Sequence, residues 1–243
     1  MHSDQYSRIF LLSHMRAYTS LLGHILGSHP AINGYFEMHI SYDEASALEV
    51  QLGELRKYET LKTNSRYLFD KLLHNRYCLT RKQLGHDNVK ILVALREPEQ
   101  SIKSIVNLFA RKETDDLYAQ PEEAARYYIE RVRSLAEFCN SFAGQYYYFD
   151  AESLRQEPET LLSALTHWLD LEVPLSAHYQ TFSQTGKARN GDSSERIQSG
   201  KIDKSASDYL HVSIPPDALQ RALSLYGEVR PQMIANAIDV IAH

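Results

Sequence analysis

Cysteine is nearly absent from this chain. Only Cys78 and Cys139 occur among 243 residues, which excludes a disulfide framework and a cysteine-built zinc site. Long apolar runs are missing too: the longest strongly apolar stretch is Ile91 to Leu95, against the ~20 residues that cross a bilayer. Near the N-terminus, Ile9-Phe10-Leu11-Leu12 is too short for the core of a signal peptide. Positive charge is not in excess, since 26 Lys and Arg face 31 Asp and Glu for a net −5. That balance argues against a general nucleic-acid binder while leaving room for a local basic pocket. The loops G-x-x-x-x-G-K-[ST] and G-x-G-x-x-G are absent, as are the G-x-S-x-G elbow and the H-E-x-x-H helix. The histidines are scattered, and His14, His24, His29 and His39 lack metal-ligand spacing; His24 reads as a structural residue on a helix face. What remains is a cytoplasmic protein without stable membrane insertion, folded as a single domain over residues 1–243.

What is present alternates between strands and helices. Arg8 to Met15 opens with a continuous apolar run suited to a strand buried on both faces. From Thr19, Leu21, Leu22, Ile25 and Leu26 recur at helical spacing until Gly27-Ser28-His29-Pro30 stops them. Tyr67–Leu73, Val89–Leu95 and Gln145–Asp150 read as further strands. Helices are expected from Pro98 to about Lys112, over Glu122–Asn140, over Pro158–Leu171 with Trp168 in the core, and from Pro216 almost to His243. Residues 42–63 read as helical, and residues 183–207 as a long loop. The expected fold is α/β: three layers, with a mostly parallel central sheet flanked by helices.

In such sheets, ligands bind beyond the carboxyl ends of strands, where the next helix begins. Three polar clusters fall at such places. The first is His14-Met15-Arg16-Ala17-Tyr18-Thr19-Ser20, which combines backbone N–H groups, hydroxyls and an arginine. The second is Arg96-Glu97-Pro98 with Ser104 two helical turns on, and the third runs from Gly186 to Ser194 and on to Gly200-Lys201. Together they suit a ligand with more than one phosphate-like group. Each also has an ordinary explanation, as a helix cap, an ion-paired arginine and a plain loop.

The first cluster, with Leu26-Gly-Ser-His-Pro30 after it, resembles the 5′-phosphosulfate loop of sulfotransferases that use 3′-phosphoadenosine 5′-phosphosulfate (PAPS). Arg16 matches that loop's cation, and Thr19 and Ser20 its hydroxyls. Arg96, Pro98 and Ser104 resemble the family's 3′-phosphate motif. Gly186-Lys187 with Ser193 and Ser194 is similar to its late loop, and Gly34-Tyr-Phe-Glu37 to its Gly-x-Glu region. One position departs: Tyr18, after Ala17, stands where the family's loop carries glycine, and glycine lets backbone N–H groups close on a phosphate.

The resemblance implies a P-loop-like sulfotransferase fold and transfer of a sulfuryl group from PAPS to a small-molecule, lipid or sugar hydroxyl, leaving adenosine 3′,5′-bisphosphate (PAP). Arg16 would stabilise the leaving phosphate and Glu37 would take the acceptor proton, with His14 and His39 in reserve. Ala17, Tyr18, Thr19 and Ser20 would line the 5′-phosphate, Arg96 and Ser104 the 3′-phosphate, and Lys187, Arg189, Ser193 and Ser194 would close over the nucleotide. No metal is required. Two other readings stand beside it. A nucleotide kinase would need a Walker lysine followed by Ser or Thr, which Arg16-Ala17 does not supply. A catalytically degenerate sulfotransferase-like nucleotide-binding protein is motivated by Tyr18. Oligomeric state stays open.

Overall fold

A computed structural model describes residues 5–44, 46–80, 88–111, 116–186, 195–205 and 208–242. Among the described residues, six strands form one parallel sheet in the order β2-β3-β1-β4-β5-β6, flanked by helices. The strands are β1 (Ser7–Leu12), β2 (Ile32–Asn33), β3 (Tyr67–Leu72), β4 (Val89–Leu95), β5 (Tyr147–Asp150) and β6 (Asp239–Ile241). Ile9 to Leu12 of β1 and Ile91 to Leu95 of β4 are buried, as continuous apolar runs in a sheet covered on both faces should be, and all of β3 is buried too, Asp70 and Lys71 included. β1 pairs with β3 from Ser7↔Tyr67 to Leu12↔Leu72.

The helices are α1 (Thr19–Ser28), α2 (Ser46–Tyr58), α3 (Pro98–Phe109), α4 (Pro121–Ser141), α5 (Ser153–Gln156), α6 (Pro158–Trp168), α7 (Glu195–Gln198) and α8 (Pro216–Ala235). The chain forms two compact units. One comprises Met1–Leu12, Tyr18–Leu92 and Ser153–Lys204; the other comprises Ser13–Ala17, Val93–Glu152 and Ser205–His243.

In the first unit, α1 approaches the turn after β2 so closely that a Cβ on Gly23 would sit 2.3 Å from the Tyr35 carbonyl oxygen. The C-terminus of α1 is closed by Lys62, whose ammonium donates to the carbonyls of Gly27, His29 and Ile32; burial draws its pKa down to about 8. α6 ends earlier than its apolar period suggests. Asp170 takes a left-handed conformation (φ 51°), while the N–H groups of Asp170 and Leu171 return to the carbonyls of His167 and Thr166. This is a Schellman closure with aspartate in the usual glycine position. Trp168 is half-buried rather than in the core, and the Lys90 ammonium lies 5.0 Å from its ring centroid.

In the second unit, α4 packs on α8. Asp150 at the end of β5 takes two bonds from Arg230 of α8, Nε at 2.9 Å and Nη2 at 2.5 Å. The closing helix stops at Ala235, and the β-branched residues that follow form β6 on β5, in register Tyr147↔Asp239. Pairing there occupies an aromatic strand that would otherwise be the sheet edge. α3 stops at Phe109, short of Lys112, which lies outside the described residues.

Candidate functional site

The loop from Ser13 to Ala17 follows β1 and is held at every residue from Ser13 to Arg16 by other parts of the second unit. Ser13 Oγ donates to the Ala94 carbonyl at 2.7 Å, and Arg131 Nε donates to the Ser13 carbonyl at 2.9 Å. The Met15 N–H reaches Tyr127 Oη at 2.8 Å, and Arg96 Nη1 donates to the Arg16 carbonyl at 2.8 Å. His14 is fully buried, with Nδ1 2.9 Å from the Met15 carbonyl and Nε2 taking the Arg96 N–H at 3.1 Å. That pair of bonds requires a neutral ring carrying its proton on Nδ1. Burial, with Arg96 and Arg131 nearby, holds its pKa down to about 3.

Two of the clusters read from the sequence meet in this unit. Arg16 Nε donates to Ser104 Oγ at 3.0 Å, and the Tyr209 hydroxyl donates to the same oxygen at 3.0 Å. Arg96 is buried, with Nε 4.0 Å from a carboxylate oxygen of Glu152. The Glu97 carboxylate is spent at its own helix end, where it accepts the N–H groups of Glu99 and Gln100 ahead of α3. Arg16, Arg96 and Arg131 thus gather positive charge around one loop of a chain whose net charge is −5. Fixed guanidinium groups of this kind suit a phosphate or sulfate oxygen.

In the first unit the chain enters α1 through Tyr18, which adopts φ 54° and ψ 20°. Tyrosine therefore takes the left-handed conformation that glycine reaches without strain, at roughly 1–2 kcal/mol; Arg16 is left-handed as well (φ 64°). The Tyr18 side chain makes no cap hydrogen bond to the first turn of α1. Instead, the Tyr18 hydroxyl accepts from Arg155 Nη1 at 3.0 Å, with the guanidinium carbon 5.1 Å from the ring centroid. Ser20 Oγ accepts from Lys71 Nζ at 3.0 Å, and Lys71 on β3 is only 1% exposed.

Glu37 is buried, with Oε2 3.8 Å from His39 Nε2. Its segment is fixed from β3 by Asp70, whose Oδ1 accepts the N–H of Met38 at 3.0 Å and whose Oδ2 accepts the Tyr42 hydroxyl at 2.6 Å. Burial, reinforced by Glu37, lifts the pKa of Asp70 to about 7 in spite of those bonds. Gly34 turns the chain into this segment at φ 93°, and a Cβ there would lie 2.5 Å from the Phe69 carbonyl oxygen.

Arg16, Arg96, Ser104 and His14 are therefore brought together in the second unit, while Tyr18, Thr19, Ser20 and Glu37 belong to the first. Lys187, Arg189, Ser193 and Ser194 lie outside the described residues. Sequence reading missed Lys71, Asp70, Arg131, Arg155 and Tyr209. The Asp70-Lys71 pair was the visible signal, since two ionisable residues in the middle of an apolar strand need a reason. Among the described residues there is no group of three or more His, Cys, Asp or Glu side chains suited to hold a metal ion. Nor is any helix among them long and apolar enough to cross a membrane.

No protein-family model matches the sequence, and no curated protein matches it. Solved structures do. The sulfotransferase domain from the curacin biosynthetic pathway superposes with a TM-score of 0.59 at 18% identity, covering 91% of this chain and 98% of its own. The sulfotransferase domain of the Synechococcus PCC 7002 olefin synthase gives 0.56 at 18% identity over 92% and 94%. Mouse sulfotransferase SULT7A1, complexed with PAP, gives 0.53 at 14% identity over 95% and 86%. The chain has the sulfotransferase fold, that of the family which its Arg16 and Arg96 clusters resemble.

Proposed function

We propose that this protein is a PAPS-dependent sulfotransferase, acting in the cytoplasm on a hydroxyl of a small molecule, lipid or sugar. The observation that carries the reading is the junction of Arg16, Arg96 and Ser104: the residues resembling the 5′ and 3′ phosphate motifs are hydrogen-bonded to one another. PAPS would supply the sulfuryl group and leave as a bisphosphate, a weak base that asks for positive charge rather than a proton.

In this reading Arg96 and Ser104 hold the 3′-phosphate. Ala17, Tyr18, Thr19 and Ser20 hold the 5′-phosphate with the first turn of α1, and Arg16 stabilises charge as the S–O bond breaks. Lys71, bonded to Ser20, adds a cation beside that hydroxyl. Glu37 takes the proton of the acceptor hydroxyl. The His14 ring has both nitrogens on the backbone, so its part is to hold the loop. By the same resemblance Lys187, Arg189, Ser193 and Ser194, which lie outside the described residues, are further nucleotide contacts in this proposal. Nothing in this chemistry calls for a metal, and one domain over residues 1–243 carries it. The left-handed Tyr18 favours an intact loop over the catalytically degenerate alternative, because the backbone takes the conformation that glycine would give.

The test is calorimetric titration with PAP, comparing the native protein with Arg96→Ala. Binding in the micromolar range, about 8 kcal/mol, that is lost in the variant supports the site and opens a screen of acceptor hydroxyls. Absence of binding by folded native protein overturns the reading.

A further inference from the structure

Tyr18 stands in a conformation that disfavours it, and Arg155 grips it. The guanidinium of Arg155 bonds from two of its edges: Nη1 to the Tyr18 hydroxyl at 3.0 Å and Nε to the Asp203 carbonyl at 2.9 Å. Asp203 in turn holds Arg196 of α7, Oδ2 to Nε at 3.2 Å. The Tyr179 hydroxyl closes the same region by donating to the carbonyls of Arg196 at 3.3 Å and Lys201 at 3.2 Å. All of these residues belong to the first unit. A residue at φ 54° persists where its surroundings over-determine it, and a planar guanidinium bonded at two edges is a rigid means of doing so.

We propose that Arg155 is a positioning residue for the anion-binding loop. It holds Tyr18 left-handed in place of a glycine and ties the entry of α1 to the stretch Arg196–Asp203. The inference rests on the nucleotide reading of that loop but concerns a residue that the reading does not use. If Arg155 acts only through Tyr18, its value disappears once residue 18 reaches the same conformation unaided, as Tyr18→Gly permits.

The experiment is a double-mutant cycle on PAP affinity and on thermal midpoint, using the native protein, Arg155→Ala, Tyr18→Gly and the double variant. Arg155→Ala should weaken PAP binding about tenfold in the native background, and less than twofold when Tyr18→Gly is also present. An equal loss in both backgrounds overturns the proposal, since Arg155 would then act on the ligand or the fold directly; no loss in either overturns it as well. If the native protein binds no PAP, the nucleotide reading fails by itself and the clamp is decided by the midpoints. A fall on Arg155→Ala that vanishes with Tyr18→Gly supports it, and an equal fall in both refutes it. Arg155→Met, which keeps the aliphatic stem, replaces Arg155→Ala under the same criteria if the latter does not fold.

Discussion

Ser104 Oγ lies 3.0 Å from Arg16 Nε and accepts its hydrogen bond across 88 positions of sequence. The bond fixes the direction of a guanidinium that would otherwise sample several rotamers, so the hydroxyl matters beyond any contact of its own with a ligand. A hydrogen bond to a charged group is worth about 1.5–3 kcal/mol. Ser104→Ala should therefore weaken PAP binding by roughly tenfold or more, read by calorimetric titration. Unchanged affinity would show that Arg16 needs no such guide.

Lys71 allows affinity and stability to be separated. It is 1% exposed on β3 with its ammonium on Ser20, and burying a charge for structural reasons alone is poor economy for a fold. Lys71→Met keeps the volume and removes the charge. The expected result is PAP affinity at least tenfold lower, with a thermal midpoint equal to or above the native one. A lower midpoint with affinity retained would make Lys71 a structural residue.

The fold was legible because its strands are of the simplest kind. Ile9 to Leu12 and Ile91 to Leu95 are apolar at every position, as burial on both faces demands, and Pro98, Pro121, Pro158 and Pro216 each open the helix expected near them. β2 and β6 escaped, being two and three residues long, with too little pattern to carry a period. Of the candidate site residues, Arg16, Thr19, Ser20, Arg96 and Ser104 sit on strand-to-helix connections or the helix just after, where position itself is informative. Arg155 and Tyr209 meet their partners only through tertiary packing, 137 and 105 positions away, and no spacing rule reaches that far. At Tyr18 residue type and backbone say different things: tyrosine departs from the family's glycine, while the backbone lies in the left-handed region that glycine reaches without strain.

Two helical glycines should respond in opposite directions to the same substitution. Alanine normally gains about 0.5–1 kcal/mol over glycine inside a helix. Gly227 in α8 has nothing within 4 Å of an added Cβ, so Gly227→Ala should stabilise by about that amount. At Gly23 in α1 the added Cβ would lie 2.3 Å from the Tyr35 carbonyl. Gly23→Ala should therefore destabilise by about 1–3 kcal/mol in spite of its helix propensity. Denaturant midpoints decide both, and equal signs would contradict the close approach of α1 to that turn.

Asp70 and His14 give stability opposite dependences on pH. The folded pKa of Asp70 is raised from 3.8 to about 7, so the folded chain holds its proton where the unfolded chain has lost it. That contribution is complete below about pH 4 and is lost as pH rises toward 7. The folded pKa of His14 is lowered from 6.5 to about 3. Its contribution is complete above about pH 6.5 and is lost as pH falls toward 3. Between about pH 4 and 6.5 the two slopes, each up to about 1.4 kcal/mol per pH unit, oppose one another. Asp70→Asn keeps an acceptor for the Met38 N–H and removes one side of the balance. Unfolding free energy measured by urea titration across pH 4 to 7 should fall less steeply on acidification for the native protein than for the variant. In the variant it should fall steadily on acidification. A native curve already as steep as the variant's would mean that Asp70 ionises in the folded protein at an ordinary carboxylate pKa.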